Sequence, residues 1–321
     1  MNEKTRTLAD KMRAWRVPQF GDIDTLHCDS VPIAQLHGDE VLVEVEVAAL
    51  NPVDLKTLKG RYPTITEKDL PFTLGRDVAG TIVKGSAHAP GWEPGMRVCA
   101  FVGQGQGALA DYVAVSANAL ARVPPDLDIE TAAAVPLAAL TAWQGLFDHG
   151  KLERGERVLI LGASGPVGRF AVQFARRCGA HVIATASAAT HEALRERGAE
   201  QTIDYEKERV EAATGDIDLV YDLVGGDAQT SAWKVLKRGG TFVSALAEPS
   251  QLEASNHGAC ATRYTARPDG AQLDPILGLV KEGVVKVEVV ERFTFDAMND
   301  AFARLEHGHA HGKLVVRRER R

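Results

Sequence analysis

The stretch Val158 to Gly168, VLILGASGPVG, decides the reading of this chain. An apolar run with the character of a buried parallel strand turns through three glycines into the amphipathic segment Arg169 to Cys178. In such a turn Gly162 permits the tight reversal, Gly165 lets backbone approach a pyrophosphate, and Gly168 lets the following helix pack close to the sheet. The helix start presents unpaired N–H groups and a positive dipole end, which favour an anion without basic side chains. A second apolar run, His181 to Ala186 (HVIATA), follows at the spacing that closes a βαβ unit. An ordinary strand, turn and helix without a ligand is the alternative reading of the same residues.

The end of the second strand bears on which dinucleotide would sit there. An NAD site places Asp or Glu about 20 residues past the glycines to accept the ribose 2′-hydroxyl. Here the strand ends in Thr185-Ala186-Ser187 and no carboxylate follows before Glu192, which leans toward NADP. Ser187 and Thr190 offer hydrogen bonds to a 2′-phosphate, and Arg195 offers charge, although it lies on a charge-rich helix and reads equally as a solvated face residue.

Composition frames these motifs. The chain has 321 residues, 45% hydrophobic and 25% charged, the balance of a soluble globular protein long enough for two domains. A net charge of −6 argues against nonspecific nucleic-acid binding. Cys28, Cys99, Cys178 and Cys260 are scattered without metal or redox spacing and fit a reducing compartment. Neither a signal-peptide core nor an apolar run of the ~18 residues needed to span a membrane is visible, so a cytoplasmic location is expected. The basic end, Arg317 to Arg321, reads as solvated.

From Met12 to about Pro125 short β-like runs are broken by Gly and Pro, at Val41 to Ala48, Val78 to Val83, Arg97 to Phe101 and Ala110 to Val115. They predict a small, mostly antiparallel barrel. From Ile129 an Ala-rich helical stretch to His149 leads into βαβ units with strands near Val158, His181, Leu219 and Thr241, a doubly wound parallel sheet. A helix at Ala271 to Gly283 precedes strand-like Val284 to Phe295, helix Asp296 to Glu306 and a terminal strand, Lys313 to Val316, which rejoin the barrel. The expected domains are therefore 12–127 with 284–321, and 128–283, after an N-terminal extension of residues 1–11.

At this point the chain resembles the medium-chain dehydrogenase/reductases, and within them the zinc-independent quinone oxidoreductase branch. The features that carry the resemblance run in order: Asn51-Pro52-Val53-Asp54, Gly60-Arg61-Tyr62-Pro63, Leu74 to Gly80 (LGRDVAG), Pro94 to Val98 (PGMRV), and Ala138 to Trp143 (AALTAW). After the glycine turn come Ile203-Asp204-Tyr205, Arg267 to Gly270 (RPDG) and Gly312-Lys313. The resemblance implies a GroES-like catalytic domain, a Rossmann domain and a cleft between them holding NADP. It also places Asn51 and Thr141 near the nicotinamide, and Ser164, Gly165, Pro166 and Val167 at the pyrophosphate. Tyr205 falls near the adenosine phosphate, Gly225 along the ribose, and Lys313 at a phosphate, although a lysine before a terminal strand reads equally as an exposed charge. Where many relatives carry a basic residue for the 2′-phosphate, this chain has Thr190 and His191.

Alcohol-oxidising relatives hold zinc through Cys and His. The corresponding places here look like Asn51 and Gly75-Arg76-Asp77, and the four cysteines of their structural zinc lobe are missing around Trp92 to Gly107. His307, His309 and His311 read as an exposed turn rather than a ligand set. Without a metal to stabilise an alkoxide, hydride transfer to an electron-poor acceptor is the natural reaction, and a quinone or an α,β-unsaturated carbonyl needs little beyond a hydrogen bond at its oxygen. Asn51 and Tyr62 are the candidate substrate-side residues, the phenol offering a flat face and a donor. A reductase specific for one alkenal or enoyl metabolite, and a non-enzymatic NADPH-binding sensor or scaffold, are the alternatives. A homodimer is expected, paired through Thr241 to Leu246 as a free apolar sheet edge.

Overall fold

The computed structural model describes residues 10–103, 106–308 and 311–319. His309 and most of the N-terminal extension lie outside them. The chain divides into two compact units, residues 1–136 with 268–281 and 288–321, and residues 137–267 with 282–287.

The first unit is built on strands β1 (Lys11–Val17), β2 (His27–Pro32), β3 (Glu40–Leu50), β4 (Phe72–Thr73), β5 (Asp77–Lys84), β6 (Arg97–Phe101), β7 (Tyr112–Ser116) and β8 (Leu120–Arg122). The second contributes β9 (Arg157–Leu161), β10 (His181–Ala186), β11 (Gln201–Asp204), β12 (Ile217–Asp222), β13 (Leu236–Ser244) and β14 (Cys260–Arg263). The chain then returns to the first unit for β15 (Val289–Thr294) and β16 (Lys313–Arg317). In that unit β2-β1-β4 form a small antiparallel sheet, and β15-β16-β3-β5-β6-β8 a larger one to which β7 adds on β3. Among the described residues only the β15-β16 pair is parallel there. Val41, Val43, Val45, Val78, Ile82, Val98 and Leu314 fill its interior beside Phe302 and Met298 of helix Met298–Glu306.

The second unit is an all-parallel sheet in the order β11-β10-β9-β12-β13-β14, with helices along it. Its central strands read Val158 to Leu161 and Leu219 to Tyr221 as unbroken apolar runs because both faces are covered. Strand order reverses direction between β9 and β12, and such a switch point opens a crevice at the carboxyl ends of the strands.

Several expectations change. The helix Gly270–Lys281 belongs to the first unit, against β8, where a Cβ on Gly270 would stand 2.0 Å from the Leu120 carbonyl oxygen. After β13, where no element was expected, the chain forms helix Gln251–His257 and β14. Because β14 pairs with β13, Thr241 to Leu246 is not a free edge, and the outer strand on that side is β14. The Ala-rich stretch is three pieces, Ile129–Ala133, Pro136–Trp143 and a π-helical turn Gln144–His149, broken where Pro136 lacks an N–H. Arg318 is not solvated either: its guanidinium donates to the Glu44 carboxylate at 2.6 Å and the Val45 carbonyl at 2.6 Å. No helix among the described residues is long and apolar enough to cross a membrane.

Candidate functional site

In the second unit the glycine turn sits at the carboxyl end of β9. Gly162 has φ +76°, a conformation that favours glycine. A Cβ on Gly168 would meet the Gly162 carbonyl oxygen at 2.5 Å and Ala163 backbone at 2.6 Å, so helix Pro166–Cys178 presses directly on the turn. Gly165 caps that helix, where a Cβ would meet only the Gly162 carbonyl oxygen at an ordinary 3.5 Å, and Pro166 at its first turn gives up no needed hydrogen bond. Ser164 to Val167 are half-buried. The Thr185 hydroxyl accepts from the Gly162 amide at 3.2 Å, tying the turn to the end of β10.

Across the switch point, the fully buried Asp222 at the end of β12 organises a second turn. Its Oδ1 accepts from the amides of Val224 and Gly225, both at 2.9 Å, while Oδ2 accepts from Gln229 and from the Ser244 hydroxyl at 2.8 and 2.7 Å. Gly225 is thereby held with φ +78°. Ser187 is half-buried after β10, and Tyr205, 60% exposed, follows β11. Ser164 to Val167, Ser187, Tyr205 and Gly225 thus share one end of one sheet.

The other candidates for the 2′-phosphate are occupied. Thr190 is buried and donates its hydroxyl to the Ser187 carbonyl at 3.0 Å, the His191 ring bonds the Ala186 carbonyl, and Arg195 donates to Thr202 at 2.7 Å. Thr141 is buried, its hydroxyl given to the Leu137 carbonyl at 2.6 Å. Its own carbonyl lies 2.5 Å from the Tyr264 phenol and 3.0 Å from that of Tyr221, and the two phenol oxygens are 2.7 Å apart, so two O–H protons are shared among three contacts. Burial raises both phenols' pKa, so they stay protonated donors at neutral pH. Sequence reasoning missed both tyrosines; the nearest signal is Gly145, where a Cβ would collide with the Tyr221 ring and the Tyr264 hydroxyl.

In the first unit, the Asn51 side chain is held by buried charge. Its Nδ2 donates to Asp77 Oδ2 at 2.9 Å and to the Ala49 carbonyl at 3.2 Å, and its Oδ1 accepts from Lys313 Nζ at 2.5 Å. Lys313 also bonds Asp77 Oδ2 at 2.9 Å. An ammonium can face only the amide oxygen and a carboxylate only the amide nitrogen, so charge fixes which way the amide points. With both N–H bonds spent, Asn51 retains a lone pair on Oδ1 and can act toward a ligand as an acceptor. Lys313, expected at a cofactor phosphate or as an exposed charge, is instead 3% exposed and bonded to Asn51 and Asp77.

Asp54, three residues on, accepts the Asn51 backbone N–H at 2.9 Å through Oδ2, while its buried Oδ1 has no partner among the described residues. Burial pushes its carboxyl up to about 6, against the pull of Arg76, the Asn51 N–H and Lys313. Tyr62 is half-buried, with the Arg76 guanidinium 5.6 Å from its ring centre. Of the residues expected at the site, the first unit thus joins Asn51 to Lys313 and leaves Tyr62 apart from them, next to Arg76. Cys99 is a buried thiol whose pKa burial raises, as it does for Cys28 and Cys178.

Comparison with known proteins agrees with this geometry. Residues 37–125 match the alcohol dehydrogenase GroES-like domain, and residues 197–316 match the zinc-binding dehydrogenase domain. The 2-methylene-furan-3-one reductase of Solanum lycopersicum is 35% identical over 97% of this chain and 80% of its own length. The chloroplastic NADPH-dependent alkenal/one oxidoreductase of Arabidopsis thaliana is 34% identical with the same coverage. Among solved structures, the quinone oxidoreductase from Coxiella burnetii superposes with a TM-score of 0.89 at 30% identity, covering 96% of this chain and 99% of that one. The chain therefore belongs to the medium-chain dehydrogenase/reductase superfamily. Within that superfamily it falls in the quinone oxidoreductase-like branch.

The matched domain's name implies zinc, and the residues present do not suit it. No group of three or more His, Cys, Asp or Glu side chains among the described residues could hold a metal ion. At the positions in question stand Asn51, whose amide oxygen already takes an ammonium, Arg76, and Asp77, whose carboxylate faces the same ammonium. The glycine turn does suit a dinucleotide: a Cβ-free cradle at Gly165, a helix start, and a carboxylate-ordered second turn beside it.

Proposed function

We propose that this protein is a zinc-independent oxidoreductase that transfers a hydride from NADPH to a quinone or another electron-poor conjugated carbonyl. The observation that carries the reading is the pairing of an intact phosphate-binding turn with a buried Lys313-Asn51-Asp77 cluster where metal-using relatives carry ligands. The names of the Solanum lycopersicum and Arabidopsis thaliana relatives, a furanone reductase and an alkenal/one oxidoreductase, support the same class of acceptor.

The nicotinamide supplies the hydride when bound. Ser164 to Val167 take the pyrophosphate through backbone N–H groups, and Ser187, with no carboxylate beside it, takes the 2′-phosphate. Gly225 and the exposed Tyr205 line the adenosine side, and Thr141 contributes from a backbone held by two phenols. Asn51 accepts a hydrogen bond from a ligand hydroxyl, and Tyr62 offers a flat face and a phenolic donor. We assign the protein to a reducing, cytoplasmic compartment on its four free cysteines, and to a homodimer that pairs through β14.

The decisive experiment measures NADPH and NADH oxidation with small quinones and enones, with a chelator throughout. Turnover that prefers NADPH and survives the chelator is expected; tight NADPH binding without turnover of any acceptor would move the reading to a sensor or scaffold. In the same assay Ser187→Asp is expected to shift preference toward NADH by at least tenfold, and an unchanged ratio would show that the end of β10 does not read the 2′-position.

A further inference from the structure

The first unit holds a cavity of about 370 Å³ whose wall includes Arg76. That side chain is 9% exposed, and among the described residues no acceptor lies within hydrogen-bond reach of its guanidinium. None of its nitrogens is sealed from the cavity, so a guanidinium with five donors faces a space in which an anionic ligand could take them. Two neighbours act on it from a distance. The Tyr62 ring lies against it at 5.6 Å, and the Asp54 carboxyl, with its own Oδ1 unpartnered, lowers the local potential without a direct bond. Lys313, the other buried cation of the cluster, is by contrast bonded to Asp77 and Asn51.

The rest of the wall says what kind of molecule would complete the site. Ile65, Phe72 and Leu74 are apolar, and Thr57 and Thr64 add hydroxyls. Asp69 also lines the cavity; its Oδ2 accepts from the Thr66 amide at 2.8 Å and hydroxyl at 3.0 Å, and it makes no bond to Arg76. A planar fork of donors above an apolar wall matches a carboxylate on a small hydrocarbon body.

The geometry points to Arg76 as the anion anchor of the acceptor site, so that the acceptor is a conjugated carbonyl bearing a carboxylate, held by the guanidinium while its apolar part lies against Phe72 and Leu74. This rests on the reductase reading above. It makes Arg76 a specificity-determining residue, absent from the expected site residues because its isolation from any carboxylate is visible only in three dimensions.

The test compares trans-4-oxo-2-pentenoate with its neutral counterpart 3-penten-2-one, at constant ionic strength with saturating NADPH. The wild-type kcat/KM is expected to favour the acid at least tenfold. Arg76→Met should reduce that preference tenfold or more, chiefly through KM for the acid, and Arg76→Lys, which keeps the charge but loses the fork, should fall between. A preference that is absent in the wild type, or unchanged in Arg76→Met, overturns the assignment. Calorimetric titration of the wild-type protein with 4-oxopentanoate and with 2-pentanone, neither of them reducible as an enone, reads the anchor independently of turnover and of any variant's folding. Binding of the acid at least tenfold tighter supports the anchor even if neither enone is reduced, in which case only the reductase reading fails; equal binding rejects the anchor.

Discussion

The glycine turn of the second unit and the Asn51 cluster of the first prepare for a ligand by opposite means. The turn uses backbone: a positive φ at Gly162, a helix start, and a contact at Gly168 too close for any side chain. The cluster uses buried charge, with Lys313, Asp77 and Asn51 mutually bonded and Asp54 and Arg76 beside them in looser electrostatic contact. A backbone device tolerates almost any neighbour but no Cβ. A charge device tolerates changes of shape but not loss of one member, because the remaining ions stay in a low-dielectric interior.

That difference can be broken most forcefully at Lys313. Lys313→Met leaves the Asp77 carboxylate buried without its ammonium, and chemical denaturation should show a loss of about 3–5 kcal/mol. Adding Asp77→Asn should restore more than half of it, and a double variant as unstable as the single one would mean that the pair is not the stabilising unit. In the glycine turn, Gly168→Ala forces the Gly162 carbonyl to move and should cost about 1–3 kcal/mol by thermal unfolding, with a weaker NADPH titration. No second substitution of charge should rescue it.

A smaller effect, visible as a slope, belongs to Asp54. Its carboxyl is raised from 3.8 to about 6 in the folded protein by burial, so between those values the folded state binds more proton than the unfolded one. Its contribution to stability is therefore complete below about pH 4 and is lost as the pH rises through about 6, by about 3 kcal/mol in total. Asp54→Asn should flatten that part of the stability curve, and a variant whose stability falls in parallel with the wild type from pH 4 to 7 would remove Asp54 as its source.

The two regions were unequally legible. VLILGASGPVG announces its turn because glycine at 162, 165 and 168 has a local meaning, and the strands at Arg97–Phe101 and His181–Ala186 follow from continuous apolar runs. Asn51 was visible as a motif residue, but its fixed amide depends on Lys313, 262 positions away. No spacing rule joins such residues. Helix Gly270–Lys281 was similarly legible as a helix but not in its placement, since its close approach to Leu120 is a matter of packing. The strand Cys260–Arg263 was missed because four residues of mixed polarity carry no period, and with it the true edge of the parallel sheet.

By itself, then, the sequence determined the two sheet types, the dinucleotide turn and the set of polar residues available, because these depend on φ/ψ preferences and on hydrophobic periods within a few neighbouring positions. Only the tertiary structure decided that Lys313 is buried against Asn51, that Tyr221 and Tyr264 hold Thr141, and that Arg76 has no carboxylate bonded to it among the described residues. Burial and pairing are properties of residues brought together from distant parts of the chain, and their energies come from the removal of water that no local pattern records.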